Sequence, residues 1–363
     1  MSEEFVPSDL FLRVERKRHR KPRVRDARIT LAHGSGGKAM HELIEGLFLE
    51  YLRNPLAETL EDQAVFELGA NGHGVRLAFT TDSFVVTPLF FPGGDIGSLA
   101  INGTVNDLAM SGARPLYLSA GFILEEGFPI DELRRILASM RAAAEQAGVH
   151  VVTGDTKVVS KGAADQLFIT TSGIGIIEQP LLIASSRAQV GDKVILSGSL
   201  GDHGVTVLVA RGDLELESEI CSDTASLWSL VHDMLGVSTD IHCLRDPTRG
   251  GVGTTLNEIA MSSGVCIAIE ERELPVHDEV RGACEILGLD PLYVANEGKL
   301  IGIVAPQVAD RMVAQMRQHP LGQEARVIGE VQAEPNGIVM LKTSFGGTRI
   351  VDMLVGEQLP RIC

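Results

Sequence analysis

Three features of the sequence predict two mixed α/β domains, α+β in type, followed by a mobile C-terminal tail. At 363 residues the chain is long for a single hydrophobic core. Short β-branched runs alternate with helix-period segments, and the alternation restarts after a connector at 180–190. Pro360 can neither continue a helix nor donate to a central ladder, so the residues after it should be extended.

The elements follow in order. Residues 13–25 read RVERKRHRKPRVR, a basic, proline-containing run ahead of the first apolar periodicity. Such a run is a solvated extension or a contact for an acidic partner, and the residues do not decide between them. Residues 75–81 (VRLAFTT) and 167–177 (LFITTSGIGII) have strand character. Residues 131–148 place apolar side chains at helical spacing, with Asp131 as cap and Gly148 as terminator. After the connector a strand is expected at 193–196, helix and strand alternate to about 331, and short strands follow at 337–341 and 349–353. The expected division is therefore an extension at 1–30, domains at 31–180 and 181–335, and a C-terminal segment at 336–363.

Composition narrows the function. A formal net charge of -16 opposes general nucleic-acid binding, which needs a basic surface. Five cysteines without CxxC spacing fit reduced cytosolic thiols better than a disulfide framework or a zinc site. The start MSEEFVPSDL lacks signal-peptide layout, and no apolar run is long enough to span a bilayer, so a cytoplasmic location is expected.

The thirty-nine glycines cluster between apolar runs, where a missing Cβ allows close ligand approach. HGSGGK at 33–38 is not a Walker A loop: its opening glycine would fall at Ala32, and Ser or Thr would be needed at Ala39. Ser35, Gly36, Gly37 and Lys38 could still bind phosphate through backbone N–H groups, or form a tight turn. Gly250 and Gly251, after Asp246 and Arg249, form a second candidate loop. SGSLGDHG at 197–204 lacks dinucleotide-fingerprint spacing.

Carboxylates lie at the ends of apolar runs: Asp82, Asp107 beside Asn106, Asp155 between Gly154 and Thr156 with Lys157 nearby, and Asp246. Each alone is a cap or turn candidate, but together they suit magnesium, which takes hard oxygen ligands from separate segments. Glu297 in NEGKL is, alone, an ordinary surface or capping residue. Cys363 ends the chain, where a thiol has no packing role and should be exposed. Arg361 would favour its thiolate and the terminal carboxylate oppose it. The seven residues from Glu357 could reach roughly 23–25 Å, enough to present the sulfur to a partner and return it.

HGSGGK, TTDS, NDLAMSGARP, GDTKVV, SGSLGDHG, DPTRGGVGTTLNE and NEGKL together resemble the aminoimidazole-ribonucleotide-synthetase superfamily, across most of 31–335. The ending PRIC is similar to that of its HypE family of hydrogenase maturation factors. The resemblance implies an ATP-binding, dimer-forming first domain, a homodimer with ATP near domain and subunit junctions, and a mobile tail. It implies ATP and Mg2+ as cofactors, with Ser35, Gly36, Gly37, Lys38, Asn106, Gly154, Asp155, Thr156, Gly250 and Gly251 around the nucleotide. Asp82, Asp107 and Asp246 would hold the metal, and Glu297 and Lys157 would assist proton removal. The implied reaction is ATP-dependent dehydration of a carbamoyl group on Cys363 to a thiocyanate. The carbamoyltransferase HypF would load the sulfur, and a HypC–HypD iron scaffold would receive cyanide for [NiFe]-hydrogenase. Two rivals stay open on the residues: a superfamily enzyme acting on a free small molecule, and a non-enzymatic thiol carrier.

Overall fold

The computed structural model describes residues 24, 26–69, 74–212, 219–356, 359 and 361–363. Apart from Val24, the basic run at 13–25 lies outside them.

The first domain is built on β1 (Ala64–Leu68), β2 (Val75–Phe84), a hairpin of β3 (Phe90–Phe91) and β4 (Gly94–Asp95), β5 (Arg114–Glu125), β6 (His150–Val159) and β7 (Leu167–Ile177). Five of these form a sheet ordered β1-β2-β7-β5-β6, with β5 and β6 parallel and the other pairs antiparallel. The strand expected at 167–177 has those bounds, and the one expected at 75–81 runs three residues further. The added residues carry Asp82 into the sheet rather than leaving it at a strand end.

Helix Ile96–Met110 packs against this sheet and also contacts elements of the second domain. It is buried on nearly every side, which its apolar, glycine-containing sequence allows. Asp95 caps it by accepting from the Gly97 and Ser98 N–H groups at 2.8 and 3.0 Å, worth about 1 kcal/mol. Helix Ile130–Ala147 is amphipathic and ends at Gly148 as expected, but Pro129 occupies its N-cap position. Asp131 instead sits in the first turn and pairs with Arg134 at 3.1 Å, because proline's fixed φ suits the helix entry.

The second domain holds β8 (Lys193–Leu196), β9 (Ile241–Arg245), β10 (Cys266–Glu270), β11 (Ile301–Val304), β12 (Arg326–Gln332), β13 (Ile338–Lys342) and β14 (Thr348–Val351). They make one sheet ordered β14-β13-β10-β12-β8-β11-β9. The two late strands thus extend the second core, β13 lying parallel to β10. One apolar cluster runs from Leu108 and Met110 of the first domain to Leu230, Met234 and Leu300 of the second, so the domains share a packed boundary.

The last residues are docked rather than free. Ile362 and Cys363 are buried with Phe84, Val86 and Leu89, whereas an exposed thiol was expected. The tail lies along the chain after β2: the Val85 N–H donates to a Cys363 terminal carboxylate oxygen at 3.0 Å and the Thr87 N–H to the Arg361 carbonyl at 3.1 Å. Burying the Ile362 side chain contributes about 2 kcal/mol, and each net hydrogen bond about 1 kcal/mol. Arg361 adds bonds to the Val85 carbonyl and to Asp165, and Arg211 bonds the Arg361 carbonyl, so the contacts together exceed the roughly 3–6 kcal/mol cost of ordering three residues and favour the docked tail.

Candidate active site at the domain junction

A cavity of about 530 Å³ opens between the domains. Gly36, Gly37 and Asp62 line one side, Thr80, Asp82 and Asp107 the floor, and Arg245, Asp246, Thr248 and Arg249 the other side. Its size is ordinary for a small-molecule site.

Acidic groups are crowded here at unusual cost. Burial raises Asp107 well above the ordinary carboxylate range, and Asp246, Asp62 and Asp82 push it further, while a 2.7 Å hydrogen bond from Thr80 opposes the shift. Burial lifts Asp246 to about 6 and Asp62 to about 8, each against the positive charge of Arg245. Arg245 pairs with Asp62 at 2.6 Å and with Glu258 at 2.8 Å. Asp82 is raised by burial and faces Arg249 at 3.9 Å.

Glu297 joins this field from the second domain. It is buried, its Oε1 has no hydrogen-bond partner among the described residues, and its carboxyl is raised well above normal. Burial is the main cause, followed by Asp246, Asp82 and Asp223, with Arg249 opposing. Burial also pushes the Cys363 thiol up to about 12; Arg249 works against this, Glu297 and Asp82 with it. The guanidinium acting on the sulfur is therefore Arg249. Arg361, expected to do so, is turned to the Val85 carbonyl at 3.1 Å and to Asp165. The docked sulfur is a neutral thiol.

The structure thus brings together Asp82, Asp107, Asp246, Glu297 and Cys363. Other expected residues make contacts elsewhere within this chain. Both polar ends of the Asn106 side chain are occupied: Oδ1 accepts from the Leu227 N–H at 2.8 Å, and Nδ2 donates to the Ala225 and Glu297 carbonyls at 3.0 and 3.2 Å. It clamps the Glu297 segment and has no donor left for a nucleotide. Gly251 is glycine because a Cβ there would strike the backbone of Leu292–Val294, so its small size serves packing. Gly250, at positive φ, caps helix Gly251–Ser263 and abuts the Gly36 carbonyl.

Gly36 and Gly37 line the cavity, and the HGSGGK loop is also tied to the C-terminal segment. The Lys38 N–H donates to the Leu354 carbonyl at 2.9 Å, and the Ser35 hydroxyl to the Ala32 and Gly356 carbonyls. The Lys38 side chain is exposed. Gly154, Asp155, Thr156 and Lys157 lie on β6, an exposed edge strand, and do not line the cavity of their own chain. There Lys157 pairs with Asp155 at 2.6 Å.

Asp62, Arg245, Arg249 and Glu258 were not singled out as site residues. Arg245 and Arg249 flank Asp246 and were within reach of the motif. Glu258 closes the DPTRGGVGTTLNE motif but reads only as part of it, and Asp62, beside Glu61 in LEDQ, gave no signal because such acids read as surface residues.

Residues 60–177 match the AIR synthase related protein N-terminal domain, and residues 189–342 the AIR synthase related protein C-terminal domain. Carbamoyl dehydratase HypE of Azotobacter vinelandii is 56% identical over 340 residues, covering 94% of this chain and 98% of the relative. The chain belongs to the HypE family. HypE of Escherichia coli strain K12 is 49% identical, covering 92% of this chain and 99% of the relative. A solved HypE–HypF complex aligns with a TM-score of 0.81 at 46% identity, covering 86% of this chain and 99% of that one. A HypE structure in complex with ATP aligns at 0.77 and 50% identity, covering 93% of this chain and all of that one (100%). Both sheets and the domain pairing are therefore those of the aminoimidazole-ribonucleotide-synthetase type that the motifs implied.

Proposed function

We propose that this chain is an ATP-dependent carbamoyl dehydratase whose substrate is its own carbamoylated Cys363. The observation that carries this reading is the position of the Cys363 sulfur: buried, and in the shared field of Arg249, Glu297 and Asp82 beside the junction cavity. A carrier that only delivers a group has no need to return its thiol to a carboxylate-lined, water-excluding site. An enzyme for a free substrate has no need to place the last residue there.

The reaction balances as S-carbamoyl cysteine plus ATP giving S-cyano cysteine, ADP and phosphate. Transfer of the terminal phosphoryl group to the carbamoyl oxygen turns a poor leaving group into phosphate, and loss of the nitrogen-bound protons forms the C≡N bond. Glu297 is the proton acceptor, since its free Oε1 is buried in the same field and burial has raised its basicity. Arg249 faces the sulfur and Asp82 and supplies fixed positive charge where negative charge develops. The tethered substrate replaces a bimolecular encounter by an intramolecular one.

Magnesium suits the donor set on physical grounds: Asp82, Asp107 and Asp246 are hard oxygen donors, and their mutual repulsion is what a divalent cation relieves. Among the described residues no three acidic, His or Cys side chains are gathered tightly enough to hold a metal alone. These aspartates would hold it together with phosphate oxygens and water, and the ion would neutralise phosphate charge.

HypF as the loading partner is supported by the related HypE–HypF complex, and nucleotide use by the related ATP complex. A HypC–HypD iron scaffold as acceptor of the cyanide follows from the family alone. Among the described residues no helix is long and apolar enough to cross a membrane, and a cytoplasmic location is part of the same reading. We place Lys157 in the site of a second copy. It stands on the exposed strand β6, paired in register with Ile123 and on the same face as exposed Tyr117 and Ile123, an apolar surface that a homodimer would cover.

Three experiments test the proposal. Intact mass spectrometry of the C-terminal peptide, after incubation with HypF, carbamoyl phosphate and ATP, should show the carbamoyl adduct converting to one lighter by a water. Cys363→Ala should make no thiocyanate while folding normally, and cyanide transfer persisting in that variant would sink the reading. For the second copy, mixing Lys157→Ala and Glu297→Gln chains should restore activity that neither has alone. Failure of exchanged mixtures to recover any turnover would return Lys157 to a surface role.

A further inference from the structure

The buried imidazole of His203, in the SGSLGDHG segment, contacts the docked tail. Its Nε2 lies 2.6 Å from the Ile362 carbonyl oxygen, and its Nδ1 lies 2.8 Å from the Ser222 hydroxyl. A carbonyl only accepts, so Nε2 carries the hydrogen. Burial lowers the affinity of His203 for a second proton, so the ring is neutral and Nδ1 accepts from the Ser222 O–H. The Ser222 oxygen in turn accepts the Thr224 N–H at 3.1 Å, and Phe91 meets the ring edge-on with centroids 5.5 Å apart. The tautomer and the ring plane are both held.

The same segment reaches the proton acceptor. Asp223 accepts the Glu297 N–H at 3.0 Å and pairs with Lys299 at 3.2 Å. Residues 222–224 therefore connect the imidazole that grips the tail to the backbone of Glu297. Val85 holds the terminal carboxylate at 3.0 Å, and Thr87 and Arg211 share the Arg361 carbonyl, each at 3.1 Å. His203 is the side chain that bonds the peptide unit joining Ile362 to Cys363.

We propose that His203 is a positioning residue for the dehydration step, fixing the register of the tail through the Ile362 carbonyl so that the Cys363 adduct is presented to Glu297. This rests on the proposed function, because the docked tail is taken as the loaded, reacting arrangement. It also explains why a histidine stands inside a segment whose glycine spacing fits no nucleotide loop. The bond is made to the main chain, so it holds the tail equally whether the sulfur is free, carbamoylated or cyanated.

The test measures docking and chemistry separately. Iodoacetamide labelling of Cys363, followed on the C-terminal peptide, is compared with labelling of a synthetic peptide of the same terminal sequence. The wild-type chain should be protected relative to the peptide. His203→Phe keeps a ring against Phe91 but leaves a buried carbonyl unpaired, so protection should fall about tenfold or more. His203→Gln retains an N–H donor and should recover most of it. Should the phenyl ring not fit, His203→Ala serves, and added imidazole should restore protection. Dehydration of the carbamoylated chain should slow in His203→Phe with an unchanged dependence on ATP concentration. Full protection in the Phe or Ala variant, or a wild-type Cys363 labelled as fast as the peptide, overturns the proposal. A wild-type chain whose carbamoyl adduct never converts would instead overturn the function and leave the protection result standing.

Discussion

Replacing Glu297 by Gln removes the proposed proton acceptor while leaving its surroundings almost unchanged. The side chain keeps its volume, Asp223 still accepts the residue 297 N–H, and Asn106 still donates to its carbonyl. General-base assistance is worth about 10²- to 10⁴-fold, or roughly 3–5 kcal/mol of barrier. Single-turnover conversion of the carbamoyl adduct should slow by that factor, with ATP binding and Cys363 loading intact. The pH dependence carries a sign. The folded carboxyl is raised above its unfolded value, so the native state binds the proton more tightly. Glu297 thus favours folding below its unfolded value, and that contribution is lost as pH rises through its raised folded value. The Gln variant should therefore be as stable as wild type or more so near neutral pH, with the gain shrinking in acid. Wild-type dehydration should rise with pH as the carboxyl ionises, and that limb should vanish in the variant. Mass spectrometry of the terminal peptide across pH reads the rate, and denaturant unfolding reads the stability. Wild-type conversion by Glu297→Gln would refute the reasoning and leave Lys157 or water as the base.

The remaining predictions concern the carboxylate floor and the clamp. Asp82→Asn, Asp107→Asn and Asp246→Asn should each lower magnesium-dependent ATP turnover by about 10²-fold or more, yet leave Cys363 loading unchanged. Because burial and mutual repulsion already penalise these charges, the metal-free variants should unfold at the same denaturant concentration as wild type or a higher one; normal turnover in all three would reduce them to caps and turns. Asn106→Ala should cost roughly 2–5 kcal/mol in denaturant unfolding, since it strands the buried Leu227 N–H and Glu297 carbonyl and the half-buried Ala225 carbonyl. An unchanged stability with weakened ATP affinity would instead make Asn106 a nucleotide ligand.

The sequence alone determined the element types, the two α/β cores and the superfamily, and its ending made Cys363 the proposed reacting thiol. These follow from local periodicity, glycine and proline chemistry, and a cysteine whose terminal position is itself the signal. It also marked Asp82, Asp107, Asp246 and Glu297 through their motifs, although Asp82 lies within β2 and Asp107 within helix Ile96–Met110 rather than at element ends. Tertiary structure alone decided which of the polar residues face the cavity. Asn106 and Asp107 are adjacent, yet helical geometry turns them to different faces, so one clamps a loop and the other joins the acidic floor. Gly251 looked like a ligand contact because close approach of any backbone needs the same residue as close approach of a phosphate. Asp62 and Glu258 became site residues only when the domains closed on Arg245. The tail shows the limit most directly: Pro360 and Cys363 announce an extended reactive end, but burial of Ile362 and the His203 contact depend on surfaces more than a hundred residues away in sequence.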